Sequence, residues 1–416
     1  MASAADVLIL GGGVIGLSCA QRLLAAGRSV HVLERGTPGC GASHGNCGTL
    51  TPSHAPPLPM PGIVGTALKW MWHADAPLRI APRANLAFWR WLAACAGHCN
   101  AADFSRATAA RATLLRLSRR LIGELVAEHR LACEFDASGT LYVFRDRAEF
   151  AQSEWLPRAL APVGIPIETL SGDEVERREP ALLPGVAGGY FNPDDARLRP
   201  DRYAAELARV VREAGGIIEE GVEADGLEVD GDAVRSVATA RGPRHGRDLV
   251  VTLGAWTPRF AAALGIRVPI QPGKGYSITF QRPAECPRIP LVLKERSVCV
   301  TAWDSGYRLG STMEFAGYDA SLNRVRLDAL RRGAAEYLHE PEGPVVEEEW
   351  YGWRPMTPDD LPMIGRVPGR RNVVLATGHG MLGVSMSAAT GLLVAEAVTG
   401  QAPSLDLAPF APGRFG

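Results

Sequence analysis

The chain is short of lysine: Lys69, Lys274 and Lys294 are the only ones, within 44 basic residues set against 45 acidic ones. The bias toward arginine reads as a codon preference, and the net charge of −1, with no block of like charge, excludes a nucleic-acid-binding face. No apolar stretch reaches the roughly 18 residues that a membrane-spanning helix needs, so any membrane contact is expected to be peripheral. The opening residues pass straight into Val7 without a basic segment or a small-residue cleavage site, and no signal peptide is expected. The eight cysteines, at 19, 40, 47, 95, 99, 133, 286 and 299, lack the spacing of a disulfide scaffold. They read as reduced thiols of a cytoplasmic protein. Cys95 and Cys99 have no matching second pair, which argues against a metal site.

At 416 residues, what is present suffices for two domains of about 100–200 residues each. Val7–Leu10 is an apolar run of the kind buried on both faces of a parallel sheet. Val14, Leu17, Ala20, Leu23 and Leu24 follow at helical spacing, Gly27 stops that helix, and Val30–Leu33 reads as a second strand. Residues 36–65, rich in Gly, Pro, Ser and Thr, are expected to form an ordered loop across a site. Residues 83–130 read as helical, and Glu134-Phe135 with Thr140–Phe144 as a hairpin around Gly139. A helix from Pro200 to Ala214, short strands over 227–253, a strand-rich stretch over 268–315, a buried strand Val373–Ala376 and a helix from Met386 complete the pattern. Trp70, Trp72, Trp89 and Trp91 are expected in the core, the alternative being a peripheral membrane or partner surface. The fold class is α/β: a Rossmann-like dinucleotide-binding domain (1–65, 195–265 and 350–416) interrupted by a largely antiparallel β-sheet with helices (66–194 and 266–349), an α+β substrate domain.

Gly11-Gly12-Gly13-Val14-Ile15-Gly16 satisfies G-x-G-x-x-G between a strand and a helix, the context that makes the motif informative. Gly11 permits a tight turn, Gly13 a close approach of backbone to a pyrophosphate, and Gly16 close packing of helix on strand. Glu34 stands 18 positions after Gly16 (34 − 16), where a carboxylate accepts from ribose hydroxyls and repels a phosphorylated ribose. This motif alone does not separate NAD from FAD.

Further segments carry a more specific signal. Glu34-Arg35, Gly41-Ala42-Ser43-His44-Gly45-Asn46-Cys47-Gly48, Pro52-Ser53-His54, Asp75-Ala76-Pro77-Leu78, Gly273–Ser277, Gly352–Asp359 and Thr377–Gly383 together resemble the D-amino-acid oxidase superfamily. The resemblance covers nearly the whole chain and is strongest to the bacterial D-amino-acid and D-hydroxyproline dehydrogenases. It implies non-covalent FAD, with Ala42, Ser43, Asn46, Cys47 and Gly48 against the pyrophosphate and flavin ring. Cys47 stands where many relatives have Ala, and serves as an apolar filler or a redox-sensitive thiol. Val222 is implied at the adenine, and Gly254 and Trp256 where the chain passes the cofactor again. Gly378, His379, Gly380, Met381, Leu382 and Gly383 would face the pyrimidine edge of the isoalloxazine.

The resemblance also assigns Arg354 as the clamp for a substrate carboxylate, the alternative being a structural ion pair. Tyr276 would add a hydrogen bond to that carboxylate. Lys274 either binds a flavin carbonyl or faces solvent, and His54 either lines the pocket or lies at the surface. The expected activity is oxidation of a D-amino acid, of D-proline or D-hydroxyproline type, to the imino acid, with electrons passed to a quinone-like acceptor. An oxygen-using glycine- or sarcosine-type oxidase of the same fold and a non-catalytic dinucleotide-binding sensor or subunit are the rivals. A small-molecule substrate is the expected partner. The expected place is the cytoplasm, with association at the inner membrane left open.

Overall fold

Val7, Leu8, Ile9 and Leu10 have almost no exposed surface because their strand, Ala5–Leu10, is covered on both faces. In the computed structural model, which describes residues 5–65, 78–80 and 85–416, this strand lies inside a six-stranded sheet. The order is Met363–Arg366, Val373–Thr377, Gly246–Val251, Ala5–Leu10, Val30–Glu34 and Ile217–Glu220. All pairings are parallel except that of Met363–Arg366 with Val373–Thr377. The helix Val14–Ala25 packs on this sheet beside Gly383–Thr399, so closely that a Cβ on Gly391 would meet the Ser18 carbonyl oxygen at 2.5 Å.

A second, nine-stranded sheet holds Val346–Met356, Gln271–Phe280, Gly306–Phe315, Val298–Trp303, Leu291–Leu293, Thr140–Phe144, Gly188–Asn192 and Glu168–Ser171 in that order, with Leu78–Ile80 paired to Gly306–Phe315. It is antiparallel except at two pairings. Alternation along Gln271–Phe280 splits its side chains between two faces. Tyr276, Ile278 and Phe280 enter an apolar cluster with Leu327 and Leu330 of the helix Arg324–Ala335. Gly273, Gly275, Ser277 and Thr279 face the other way, toward the six-stranded sheet. No helix among the described residues is long and apolar enough to cross a membrane.

Three expectations change. Thr140–Phe144 forms no hairpin with Glu134-Phe135: all five residues are buried, and the strand pairs instead with Gly188–Asn192 and Leu291–Leu293. An interior strand needs a partner on each side, which a local hairpin cannot give. The boundary expected at 350 falls inside Val346–Met356, which pairs continuously with Gln271–Phe280; the chain changes sheets in the turn between Met356 and Met363. Of the tryptophans, Trp91 is buried and Trp89 exposed, while Trp70 and Trp72 lie outside the described residues.

The first glycine loop is set by close packing. A Cβ on Gly16 would stand 1.9 Å from the Gly11 carbonyl oxygen and 2.8 Å from Thr252 Oγ1, whereas one on Gly13 would meet nothing within 4 Å. Gly16→Ala is therefore expected to lower the thermal midpoint, at a cost of about 1–3 kcal/mol for overpacking. Gly13→Ala should melt like the parent when both lack bound ligand.

Candidate active site

The loop at the end of the first strand is held by two side chains. Thr252 Oγ1 donates to the Leu10 and Gly11 carbonyls at 2.7 and 2.9 Å, and Glu34 accepts from the Gly12 amide at 2.7 Å and the Gly36 amide at 2.9 Å. Gly13 then starts the helix with no side-chain cap and no acidic residue in its first turn. The helix Gly383–Thr399 also begins uncapped and without acid. Both N-termini border one cleft between the two sheets, of about 420 Å³. Helix N-termini left this way attract anions.

The loop from Gly41 to Gly48 lines the same cleft and is held from several directions. Val14 N donates to Ser43 Oγ at 3.4 Å, Asn46 Nδ2 to the Met381 carbonyl at 3.4 Å, and Gly48 N to Asn46 Oδ1 at 2.7 Å. Arg308, buried in the larger sheet, donates to the His44 and Asn46 carbonyls at 3.0 and 2.7 Å and to Thr279 Oγ1 at 2.9 Å. Thr51 Oγ1 and Trp353 Nε1 are cleft-side polar atoms that are buried and have no hydrogen-bond partner among the described residues. Two uncapped helix starts, an open backbone at Gly13 and unused buried donors are the features that a dinucleotide carrying a polar ring system requires, so these residues fit FAD.

Gly11, Gly13, Val14, Ile15, Glu34, Arg35, Ala42, Ser43, Asn46, Cys47, His54, Val222, Gly254, Trp256, Tyr276, Arg354, His379, Gly380, Met381, Leu382 and Gly383 all border this cleft. Gly16, Gly48 and Gly378 stand just behind its wall, where a Cβ would strike the Gly11 oxygen, the Leu198 oxygen and Thr357 respectively. Trp256 lies under two guanidiniums, with Arg35 Cζ 4.3 Å and Arg259 Cζ 4.7 Å from its ring centre, and stacks on Tyr318 at 4.5 Å. His379 Nε2 lies 3.0 Å from Thr390 Oγ1, and burial pushes its pKa down to about 3, which leaves the ring neutral.

Lys274 and Tyr276 do not belong with Arg354. Arg354 lies over Gly275, where a Cβ would come within 2.5 Å of its guanidinium carbon, whereas residues 274 and 276 project from the opposite face. Lys274 Nζ is buried against the Ser321 carbonyl and 3.3 Å from Asp319. Tyr276 touches the cleft rim, but its hydroxyl donates to Glu314 Oε2 at 2.7 Å. The period of two in a strand accounts for both corrections.

Arg354 itself donates to the Thr312 carbonyl at 2.9 Å and has no carboxylate partner among the described residues. Burial lowers its pKa, and its nearest ionisable neighbours are the thiols Cys47 and Cys299. Hydrogen bonding to Cys299 and burial push the Cys47 thiol well up, so it is protonated. His54 is half-buried at the cleft, with the Tyr142 hydroxyl 3.1 Å from Nδ1 and 3.3 Å from Nε2. Burial, aided by Lys294 and Arg111, pushes its pKa down to about 3.

Sequence reasoning missed Thr51, Thr252, Cys299, Arg308, Ser311 and Tyr142. Ser311 borders the cleft at φ +106°, where the pairing of Gln271–Phe280 with Gly306–Phe315 shifts register. Of these, only Arg308 carries a local signal, a charge set between the large apolar residues Tyr307 and Leu309. The Asp75-Ala76-Pro77 part of one matching motif lies outside the described residues.

A D-amino acid dehydrogenase of Granulibacter bethesdensis is 32% identical over 417 residues, covering 98% of this chain and 99% of the relative. One from Sinorhizobium medicae is 33% identical over 420 residues, covering 99% and 100%. Among solved structures, glycine oxidase from Geobacillus kaustophilus superposes with a TM-score of 0.80 at 24% identity, covering 99% of each chain. L-proline dehydrogenase from P. horikoshii does so with a TM-score of 0.75 at 18% identity, covering 100% of this chain and 98% of that one. Both share the fold. The profile of the DAO family of FAD dependent oxidoreductases matches residues 6–397, and the chain belongs to that family.

Proposed function

We propose that the protein is an FAD-dependent dehydrogenase that oxidises a D-amino acid to the corresponding imino acid. The observation that carries this reading is the half-buried Arg354 guanidinium lining the cleft, bonded to one carbonyl and to no carboxylate among the described residues. Such a cation favours an anionic ligand, and its planar fork suits a bidentate bond to a carboxylate. That the carboxylate belongs to a D-amino acid is supported by the names of the two near-full-length relatives.

When bound, FAD supplies the hydride acceptor, N5 of its isoalloxazine. The amides of Gly13, Val14 and Ile15 at the first helix would hold its pyrophosphate, and Gly11 and Gly16 give the loop its shape. Glu34, Arg35, Val222, Gly254 and Trp256 would hold the adenosine half. Ala42, Ser43, Asn46, Cys47 and Gly48 would hold the pyrophosphate and the ring. Gly378, His379 and Gly380 shape the turn that presents the amides of Met381, Leu382 and Gly383 to the pyrimidine edge, where they favour negative charge. Arg354 fixes the substrate carboxylate and His54 faces the amine. Holding the α-hydrogen in line is much of the rate advantage such a site provides.

We extend the reading to a D-proline or D-hydroxyproline type substrate and a quinone-like acceptor met by peripheral contact with a membrane. This extension is supported by the overall resemblance of the chain.

Arg354→Ala is expected to keep the visible flavin spectrum and lose about 3 kcal/mol of substrate interaction, roughly 10²-fold in kcat/KM. Steady-state kinetics with a D-amino acid and an artificial acceptor would check this; an unchanged kcat/KM would remove Arg354 from the site. Gly13→Ala places a methyl where the pyrophosphate is to lie, so this variant is expected to purify largely without flavin colour.

A further inference from the structure

Behind His54 a line of buried hydroxyls leads away from the cleft. The Tyr142 hydroxyl, within 3.1 Å of the His54 ring, lies 2.9 Å from Ser53 Oγ, which in turn lies 2.5 Å from Asp195 Oδ2. The Ser53 amide donates to Asp195 Oδ1 at 3.1 Å, so the carboxylate is held from two points of one residue. Ser53, Tyr142 and Asp195 are all at most 2% exposed. These side chains come from a 3-10 turn, a strand of the larger sheet and the turn after another strand, and Arg354 needs none of them. We propose that His54, Tyr142, Ser53 and Asp195 form a proton relay that takes the proton of the substrate ammonium into the protein interior.

The inference rests on the D-amino acid reading above. An amino acid in neutral solution arrives as an ammonium, and hydride leaves Cα only when the nitrogen lone pair is free. One proton must therefore go elsewhere. Each transfer breaks one X–H bond and makes another: substrate N–H to a His54 nitrogen, His54 N–H to the Tyr142 oxygen, Tyr142 O–H to Ser53 Oγ, and Ser53 O–H to the Asp195 carboxylate. Nδ1, at 3.1 Å the nearer of the two ring nitrogens, is the one that donates to the Tyr142 oxygen, which leaves Nε2 for the substrate. The His54 ring stays neutral, and so able to accept, because burial and the charges of Lys294 and Arg111 disfavour imidazolium. Burial and the nearby Asp195 hold the Tyr142 phenol well above its ordinary pKa, so its oxygen accepts and releases a proton together and does not rest as phenolate.

The terminal acceptor is suited to neutral pH. Burial, with neighbouring Asp194, raises the Asp195 pKa to about 7, against the opposing bonds from Ser53. Thr140 lies beside it, Arg119 of the helix Ala101–His129 is a cation that interacts with it, and Tyr142 is the titratable group facing it from the sheet. The carboxylate accepts a proton above that pKa and not below it.

The test is anaerobic stopped-flow reduction of the flavin in the holoenzyme by D-alanine and D-proline across pH. In the wild type the limiting rate should rise through about pH 7 and level off. Tyr142→Phe, which removes a single oxygen, should lower that plateau by about 10²-fold. Asp195→Asn should abolish the limb near neutrality and move the rise toward the more alkaline range of the free amine. A readout without turnover is the infrared carboxyl band of the resting protein: a band titrating near neutrality should be present in the wild type and missing in Asp195→Asn. Wild-type rates and an unmoved pH profile in both variants would overturn the relay while leaving the Arg354 reading intact. Failure of any D-amino acid to reduce the wild-type flavin would overturn the reading and the relay together.

Discussion

A half-buried guanidinium that meets no counter-ion among the described residues is the constraint around which the rest of this molecule is arranged. Arg354 is held by one carbonyl and lies over Gly275, a residue with no side chain to displace it. A charge partly withdrawn from water without a counter-ion is stabilised when an anion arrives. The two sheets, the glycine loop and the uncapped helix starts set the space in which that anion and the cofactor meet.

Each sheet provides a different kind of precision. The six-stranded sheet presents backbone: loops at the ends of its strands and the first turns of two helices, with amides directed into the cleft. The nine-stranded sheet presents side chains on its cleft face, among them Cys299, Arg308 and Arg354. Arg308 joins the two by holding the His44 and Asn46 carbonyls of the cofactor-side loop from the substrate-side sheet. A change in either sheet is thereby felt in the geometry of both ligands.

How much of this was legible in the sequence follows from how local each signal is. Strand, glycine loop, helix and Glu34 fall within one contiguous segment, and their periodicity and spacing are sufficient to read it. Arg354 was legible only through resemblance, since nothing in Trp353-Arg354-Pro355 itself says that the guanidinium lacks a partner. Lys274 and Tyr276 were misplaced for a definite reason: a motif gives the residues of a strand but not the face each occupies, and here Gly275 faces the cleft while both neighbours face the covered side. The supposed hairpin at Gly139 failed because a buried strand takes its partners from distant sequence, here from 188–192 and 291–293. Ser53, Tyr142 and Asp195 form a chain only after folding, so no local pattern announces them.

The central claim is that the cleft receives a D-amino acid by its carboxylate and delivers its α-hydrogen to the flavin. Anaerobic mixing of the purified yellow protein with matched D- and L-enantiomers of the same amino acids, followed by the visible flavin spectrum, tests it most directly. The account predicts bleaching by D-enantiomers and none by their L-counterparts. Bleaching by the L-series, or by neither, would contradict it.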